Sequence, residues 1–302
     1  MEQECQNMNC ESNVWTYELL DWINHDKLDR YSLSENPNAI HFLEKNPDKI
    51  EWDCLSKNPN ATHLLEKNPE KIDWFELSGN PNATRLLEKN PEKIVWFELS
   101  TNPNAIHLLE KNPEKISWFW LSGNPNAIHL LEKNQERINW FWLSGNPNAI
   151  HILERNPEKI DWDHLSRNPN AIHLIEKNRR VNWSWLSLNP NAIKLLEKNP
   201  EEINWFWLPI NSNAINLLEK NPEKIHWDNL SGNPNAIHLL ENNQKKINWT
   251  YLSKNPSIFI SRINYNYLYQ RMNIIREELI MRCMHPSRLE RWIEMGGDVD
   301  DF

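Results

Sequence analysis

Apolar and polar positions in this chain repeat on a beat of 22 residues, and the copy from Leu99 to Trp120 shows the unit whole: Leu-Ser-Thr-Asn-Pro-Asn-Ala-Ile-His-Leu-Leu-Glu-Lys-Asn-Pro-Glu-Lys-Ile-Ser-Trp-Phe-Trp. Ala105, Ile106, Leu108 and Leu109 follow i, i+1, i+3, i+4, the stripe of an amphipathic helix. Asn102 reads as its N-cap and Pro103 as its first residue, since Pro has a helical φ and no N–H to leave unpaired. The helix is predicted to run to about Lys111 and stop at Asn112, because a residue before Pro is driven out of the α region. Pro113 to Lys115 then form a turn pinned by Ile116. A shorter helix is predicted from each Trp through Leu-Ser to the next Asn. The slot before Trp holds Asp, Asn or Ser in seven of ten copies, residues suited to cap a helix start.

Asn-Pro-Asn-Ala or a close variant begins at Asn36, Asn58, Asn80, Asn102, Asn124, Asn146, Asn168, Asn189, Asn211 and Asn233, so every step is 22 except one of 21 between Asn168 and Asn189. The lost residue falls in Asn178-Arg179-Arg180-Val181, where the turn is expected. A deletion inside a helix would rotate its buried stripe by about 100°, whereas a turn absorbs it. Such a period implies units that cannot bury their apolar faces alone and must stack. The expected fold is an all-α solenoid of about ten two-helix repeats with helical N- and C-terminal caps. Residues 1–32 read as a polar N-terminus and a degenerate capping repeat, with Leu28 in the Ile slot and Arg30 in the Trp slot. Residues 33–254 form the array. Residues 255–302 form a helical cap with an acidic tail, in which Ile274, Ile275, Leu279, Ile280, Leu289, Trp292 and Ile293 would seal the last repeat.

The ten Trp from Trp52 to Trp249 read as packing between repeats, and the invariant Ala as a close approach of helices. Variable slots carry more functional information, since packing fixes the rest. The two residues after Trp include Phe75, Phe97, Phe119, Phe141 and Phe206 in the first position and Trp120, Trp142, Trp185 and Trp207 in the second. The Phe slot leans towards core. The four Trp would form an exposed stripe and are the candidate partner-binding anchors. Gly79, Gly123, Gly145 and Gly232 share a slot where Gly could supply a tight backbone, and Pro209 should bend the array locally.

A formal charge of −9 argues against a nucleic-acid surface. Six glycines, four of them in one slot, leave no phosphate-cradling loop. Cys5, Cys10, Cys54 and Cys283 lack metal or redox spacing and read as free thiols. The seven-membered His column (His41, His63, His107, His129, His151, His173, His238) would be too widely spaced to share a metal, and Arg85, Lys194 and Asn216 interrupt it. No nucleophile stands beside a base, and the rim of Glu-Lys pairs reads as a solvated face. No secretory signal or membrane span is discernible. The expectation is a non-enzymatic, cofactor-free, intracellular protein that binds a protein partner and neither nucleic acid nor membrane.

The unit Leu-Ser-x-Asn-Pro-Asn-Ala-Ile-x-Leu-Leu-Glu-Lys-Asn-Pro-Glu-Lys-Ile-x-Trp resembles the short tandem repeats of uncharacterised proteins of giant DNA viruses. The ending Glu277-Glu278-Leu279 with His285-Pro286-Ser287-Arg288-Leu289-Glu290-Arg291-Trp292 is similar to their tails. The resemblance spans roughly residues 30 to 302 and implies a repeat scaffold in a host cytoplasm without implying an activity. By plan alone the array also resembles ankyrin proteins, although the period differs and Thr-Pro-Leu-His is missing. Two alternatives to simple partner binding follow. One is an adaptor recruiting host machinery such as a ubiquitin ligase through the C-terminal segment, and the other is a structural or virion-associated rod of about 90 Å, from packed helices about 8–10 Å apart.

Overall fold

The computed structural model describes residues 15–178, 180–283 and 285–296. Two compact units are present, residues 19–259 and a second built from the described parts of 1–18 and 260–302. The polar N-terminus to Asn13, with Cys5 and Cys10, and the tail from Asp298 lie outside the described residues.

The typical repeat of the larger unit is a 3-10 turn, a first helix at the Trp, an Asn-Pro-Asn corner and a second helix, as in Pro69–Lys71, Trp74–Gly79 and Thr84–Lys89. First helices start where the caps predict. Asp73, Asn139, Asp161, Asn182 and Asn248 each accept a backbone N–H from the first turn. The second helix starts later than expected, Ile106–Lys111 rather than at Pro103. The reason is that Asn102 uses its Oδ1 to close a turn onto the Asn104 N–H at 3.0 Å, and its amide has another task.

That task holds the array together. Asn124 Nδ2 donates to the Ser100 and Asn102 carbonyls of the preceding repeat, both at 3.0 Å, and Asn126 Nδ2 donates to the Pro103 carbonyl at 2.9 Å. Asn80, Asn102, Asn146 and Asn168 repeat the pattern. The first Asn of each corner is buried, so each of its polar atoms needs a partner, and the clamp satisfies donors and carbonyls together. Ser122 adds to it: its hydroxyl donates to the Trp118 carbonyl at 2.7 Å and accepts from the Asn139 N–H of the next repeat at 2.9 Å. Leu121, Ala127 and Leu131 are fully buried between these clamps. The Trp column is half-buried against this core, and Lys or Arg of the following turn covers its rings, with Lys71 Nζ 4.6 Å from the Trp52 ring centre and Lys246 Nζ 4.3 Å from that of Trp227.

The clamp does not end with the last copy. Asn36 Nδ2 donates to the Ser253 and Asn255 carbonyls, both at 2.9 Å, and Asn38 Nδ2 to the Pro256 carbonyl at 2.9 Å. The Asp29 N–H donates to Ser253 Oγ at 2.8 Å, and Lys27 lies 5.1 Å from the Trp249 ring centre. Helix Arg30–Glu35 packs on helix Trp249–Lys254 as neighbouring first helices do elsewhere. The array is therefore a closed circuit of eleven units. The worn first copy, read as a cap, is the closing unit, with Leu28, Asp29 and Lys27 in their proper slots. A chain whose last seam is filled by its own first repeat needs no terminal seal, and it does not extend into a rod.

Across the 21-residue step the clamp from Asn189 to the Ser166 and Asn168 carbonyls is kept at 3.0 and 2.8 Å, so the deletion leaves the stack intact. At Pro209 the first helix gives way to a 3-10 turn, Leu208–Ile210. Pro there lacks the hydroxyl of the Ser slot, yet its carbonyl still accepts from Asn233 at 2.7 Å.

β1 (Trp15–Leu19) and β2 (Phe259–Ile263) form a two-stranded sheet where helix was expected, with an Arg262–Glu18 ion pair at 2.8 Å. A helix Tyr265–Cys283 and a last helix Pro286–Glu294 follow. Of the apolar residues expected to seal the last repeat, Ile275, Leu279, Ile280 and Ile293 are exposed and Trp292 is half-buried. The side chains of Ile274, Leu289 and Cys283 lie outside the described set. No helix among the described residues is long and apolar enough to cross a membrane.

Candidate functional site

Successive first helices pack side by side, whereas second helices pack chiefly on the 3-10 turns and first helices of their own repeats. In a closed circuit the more tightly spaced row lies at the smaller radius, so the first helices line the concave side. Trp, Leu and Ser of each first helix point into the core. The next residue after Trp lies about 100° round the helix from it and faces solvent.

This geometry reverses the expectation for the two aromatic slots. Phe75, Phe97, Phe119, Phe141 and Phe206 are 41 to 48% exposed and do not form core. Of the predicted anchors, Trp207 is exposed, whereas Trp120, Trp142 and Trp185 are half-buried. The Trp side chain leans over the slot before Asn in the preceding repeat: a Cβ on Gly123 would lie 3.7 Å from Trp142, and Arg167 lies 5.2 Å from the Trp185 ring centre. That slot therefore forms one wall of the Trp site. None of the four glycines in it has a positive φ, and a Cβ would meet only ordinary contacts, so Gly there leaves room and does not relieve backbone strain.

Three of the four predicted anchors share one continuous arc. Phe119 packs on Trp120 at 5.1 Å and Trp142 at 5.9 Å, Trp120 on Trp142 at 5.1 Å, Trp142 on Phe141 at 5.4 Å and His164 at 5.8 Å, and His164 on Trp185 at 6.1 Å. The pair Phe75–Phe97, at 5.5 Å, and the pair Phe206–Trp207, at 4.8 Å, stand on either side. Trp142 Nε1 is buried with no hydrogen-bond partner among the described residues, in the middle of the arc. The Phe column is what sequence reasoning missed. Its signal was present: the slot also holds Asp53, Asp163, Ser184, Asp228 and Thr250, which a core position would not accept.

Elsewhere on this side the slots are polar and net acidic. Glu35 pairs with Lys254, Glu76 with Lys57 at 3.7 Å, and Asp163 accepts from Asn182 at 2.9 Å. Burial, with the like charge of Glu76, pushes the Glu98 carboxyl above its usual range, against a smaller opposing effect of Lys57. Burial, with the nearby carboxylates of Glu35 and Asp53, pushes the Cys54 thiol up, which disfavours the reactive thiolate.

The His column lies on the second helices and is an inter-repeat strut. His63, His107, His129, His151, His173 and His238 each place Nε2 2.8 to 3.1 Å from a Glu of the preceding repeat. Among the described residues no three His, Cys, Asp or Glu converge as metal ligands. A cavity of about 200 Å³ lined by Glu132, Gln135, Ile152, Arg155 and Asn156 is open and smaller than a typical ligand site. It brings no nucleophile and base together. No protein-family model matches the sequence, and comparison with curated proteins and with solved structures finds no similar chain.

Proposed function

We propose that the chain is a non-enzymatic scaffold that binds a protein partner through the aromatic arc on the concave side of the closed array. The supporting observation is the exposed Phe column beside half-buried Trp rings that fix it in place. Rigid aromatics of this kind present large apolar area at little conformational cost and are favoured as interface anchors. The Phe residues take over the leading role that the Trp column held on sequence grounds, with Trp120, Trp142 and Trp185 as their platform and Trp207 as a further anchor. Catalysis is a poor fit, because the variable slots offer rings and carboxylates without a paired acid, base and nucleophile.

The test is a triple variant, Phe97→Ser, Phe119→Ser and Phe141→Ser, compared with the parent chain in pull-downs from candidate host extracts. Proteins retained by the parent and lost with the variant, at an unchanged melting temperature, support the reading. Identical retention by both overturns it.

A further inference from the structure

The helix Tyr265–Cys283 carries a second apolar surface. Tyr265, Leu268, Met272, Ile275 and Leu279 follow spacings of 3, 4, 3 and 4, the a and d positions of a heptad seam. Four of the five are exposed: Tyr265 at 74%, Met272 at 67%, Ile275 at 47% and Leu279 at 55%, with Leu268 half-buried. A bare seam of this kind over five positions is what one helix offers another.

The flanking residues select the occupant. With Tyr265 at a, the positions beside the seam are Arg271 and Glu278 at g and Tyr269 and Arg276 at e. In a parallel pair, g of one helix meets the following e of the other, which sets Arg271 against Arg276 and is repulsive. In an antiparallel pair, g meets g and e meets e. Arg271 then faces Glu278 of the second copy, twice by symmetry, and Arg276 lies beside the Tyr269 ring, also twice. The seam layers become Leu268 with Leu279 and Met272 with Ile275, each formed twice, and Tyr265 at each end meets Arg282. Glu278 already pairs with Arg282 of its own helix at 2.6 Å, so its carboxylate is held on this side of the helix.

We propose that two copies of this chain associate through an antiparallel pairing of Tyr265–Cys283. The seam follows a helix of 19 residues, about 28 Å at 1.5 Å per residue. That is a small interface, so the dimer should form in the micromolar range.

Sedimentation equilibrium on the full chain from 1 to 200 µM tests the proposal, with charge reversals to identify the geometry. Ile275→Glu should weaken the dimer at least 100-fold while leaving the melting of the array unchanged. Arg271→Glu alone and Glu278→Arg alone should each weaken it about tenfold. An equimolar mixture of the two single variants, and the double variant alone, should each restore association to near the parental level, because every g–g contact is again attractive. A parent chain that stays monomeric throughout the range overturns the proposal and leaves the seam for a different protein. Dimers that ignore the charge reversals, or single reversals that the mixture does not rescue, overturn it as well.

Discussion

Two columns run around the closed array, and they differ in what they tolerate. In the clamp column, Ser, Asn, Leu and Ala are buried in copy after copy, and their polar atoms bond the carbonyls and amides of the neighbouring repeat. In the concave column, Phe75, Asp163, Ser184 and Thr250 occupy one slot on the same backbone. Folding depends on the first column, and the proposed recognition would use the second, so the surface can change residue by residue without disturbing the stack. Quasi-one-dimensional proteins gain this freedom because each repeat contacts only its neighbours.

The largest effect should come from breaking the clamp. Asn124→Ala removes two donated bonds and one accepted bond, and leaves the Ser100 and Asn102 carbonyls buried without that donor. Stranding buried carbonyls costs about 1–3 kcal/mol each, so urea unfolding should show a loss of about 3 kcal/mol. A change within 1 kcal/mol would show that the clamp is incidental to stability. Asn36→Ala sharpens the comparison, because Asn36 makes the same bonds across the closing seam. In a closed circuit the two substitutions cost the same. If residues 30–35 did not meet residues 249–254, Asn36→Ala would cost almost nothing, and the closure would be wrong.

Lys115→Ala removes the cation that lies 4.4 Å from the Trp96 ring centre. Cation–π contacts at exposed sites are worth about 0.5–1 kcal/mol, and the loss should be read as a drop in melting temperature of a few degrees or less. Replacing Phe97 and Phe119 by Ser should change stability less, within about 0.5 kcal/mol per site, as for exposed positions generally. A large loss at either Phe would place that column in the core after all.

The division between columns also explains which features were legible in the sequence. Strict recurrence of Leu, Ala and Trp at one period reports stacking directly, and the helix starts before Trp74, Trp140 and Trp162 are local capping events that their own residues specify. Closure is different. It depends on whether the rotation per repeat, multiplied eleven times, returns the last unit to the first, and no single repeat encodes that sum. The hints were Lys27, Leu28 and Asp29 in register in a copy that had lost its Trp. Those residues face Ser253 and Trp249 and are retained, while Arg30 lies where a Trp would have been. The exposure of Phe was hidden for a related reason. Apolar character predicts burial on average, but in a helix of four to six residues the Trp, Leu and Ser already fill the inward face. Trp142 lies against Gly123, a residue of the preceding repeat, so its surroundings cannot be read from the Trp142 copy alone.

The smallest expected effect tests whether the concave column is free of folding constraints at its acidic end. Glu98 is partly buried beside Glu76, and its carboxyl is raised above the usual carboxylate range, first by burial and then by that like charge. A raised pKa in the folded state means that the folded chain holds the proton more tightly than the unfolded chain. The resulting stabilisation is complete below the unfolded carboxyl pKa, about 4.3, and is lost as pH rises through the folded value. At neutral pH the ionised group is therefore slightly destabilising, and Glu98→Gln should raise the melting temperature at pH 7. Well below the unfolded value the Glu98 carboxyl is protonated in the folded and the unfolded chain alike, and the advantage should vanish. An advantage that persists unchanged in acid would mean that the substituted amide gains by packing. A loss at pH 7 would mean that the Glu98 charge has a favourable partner, and the acidic slots would then belong to the clamp side of the comparison.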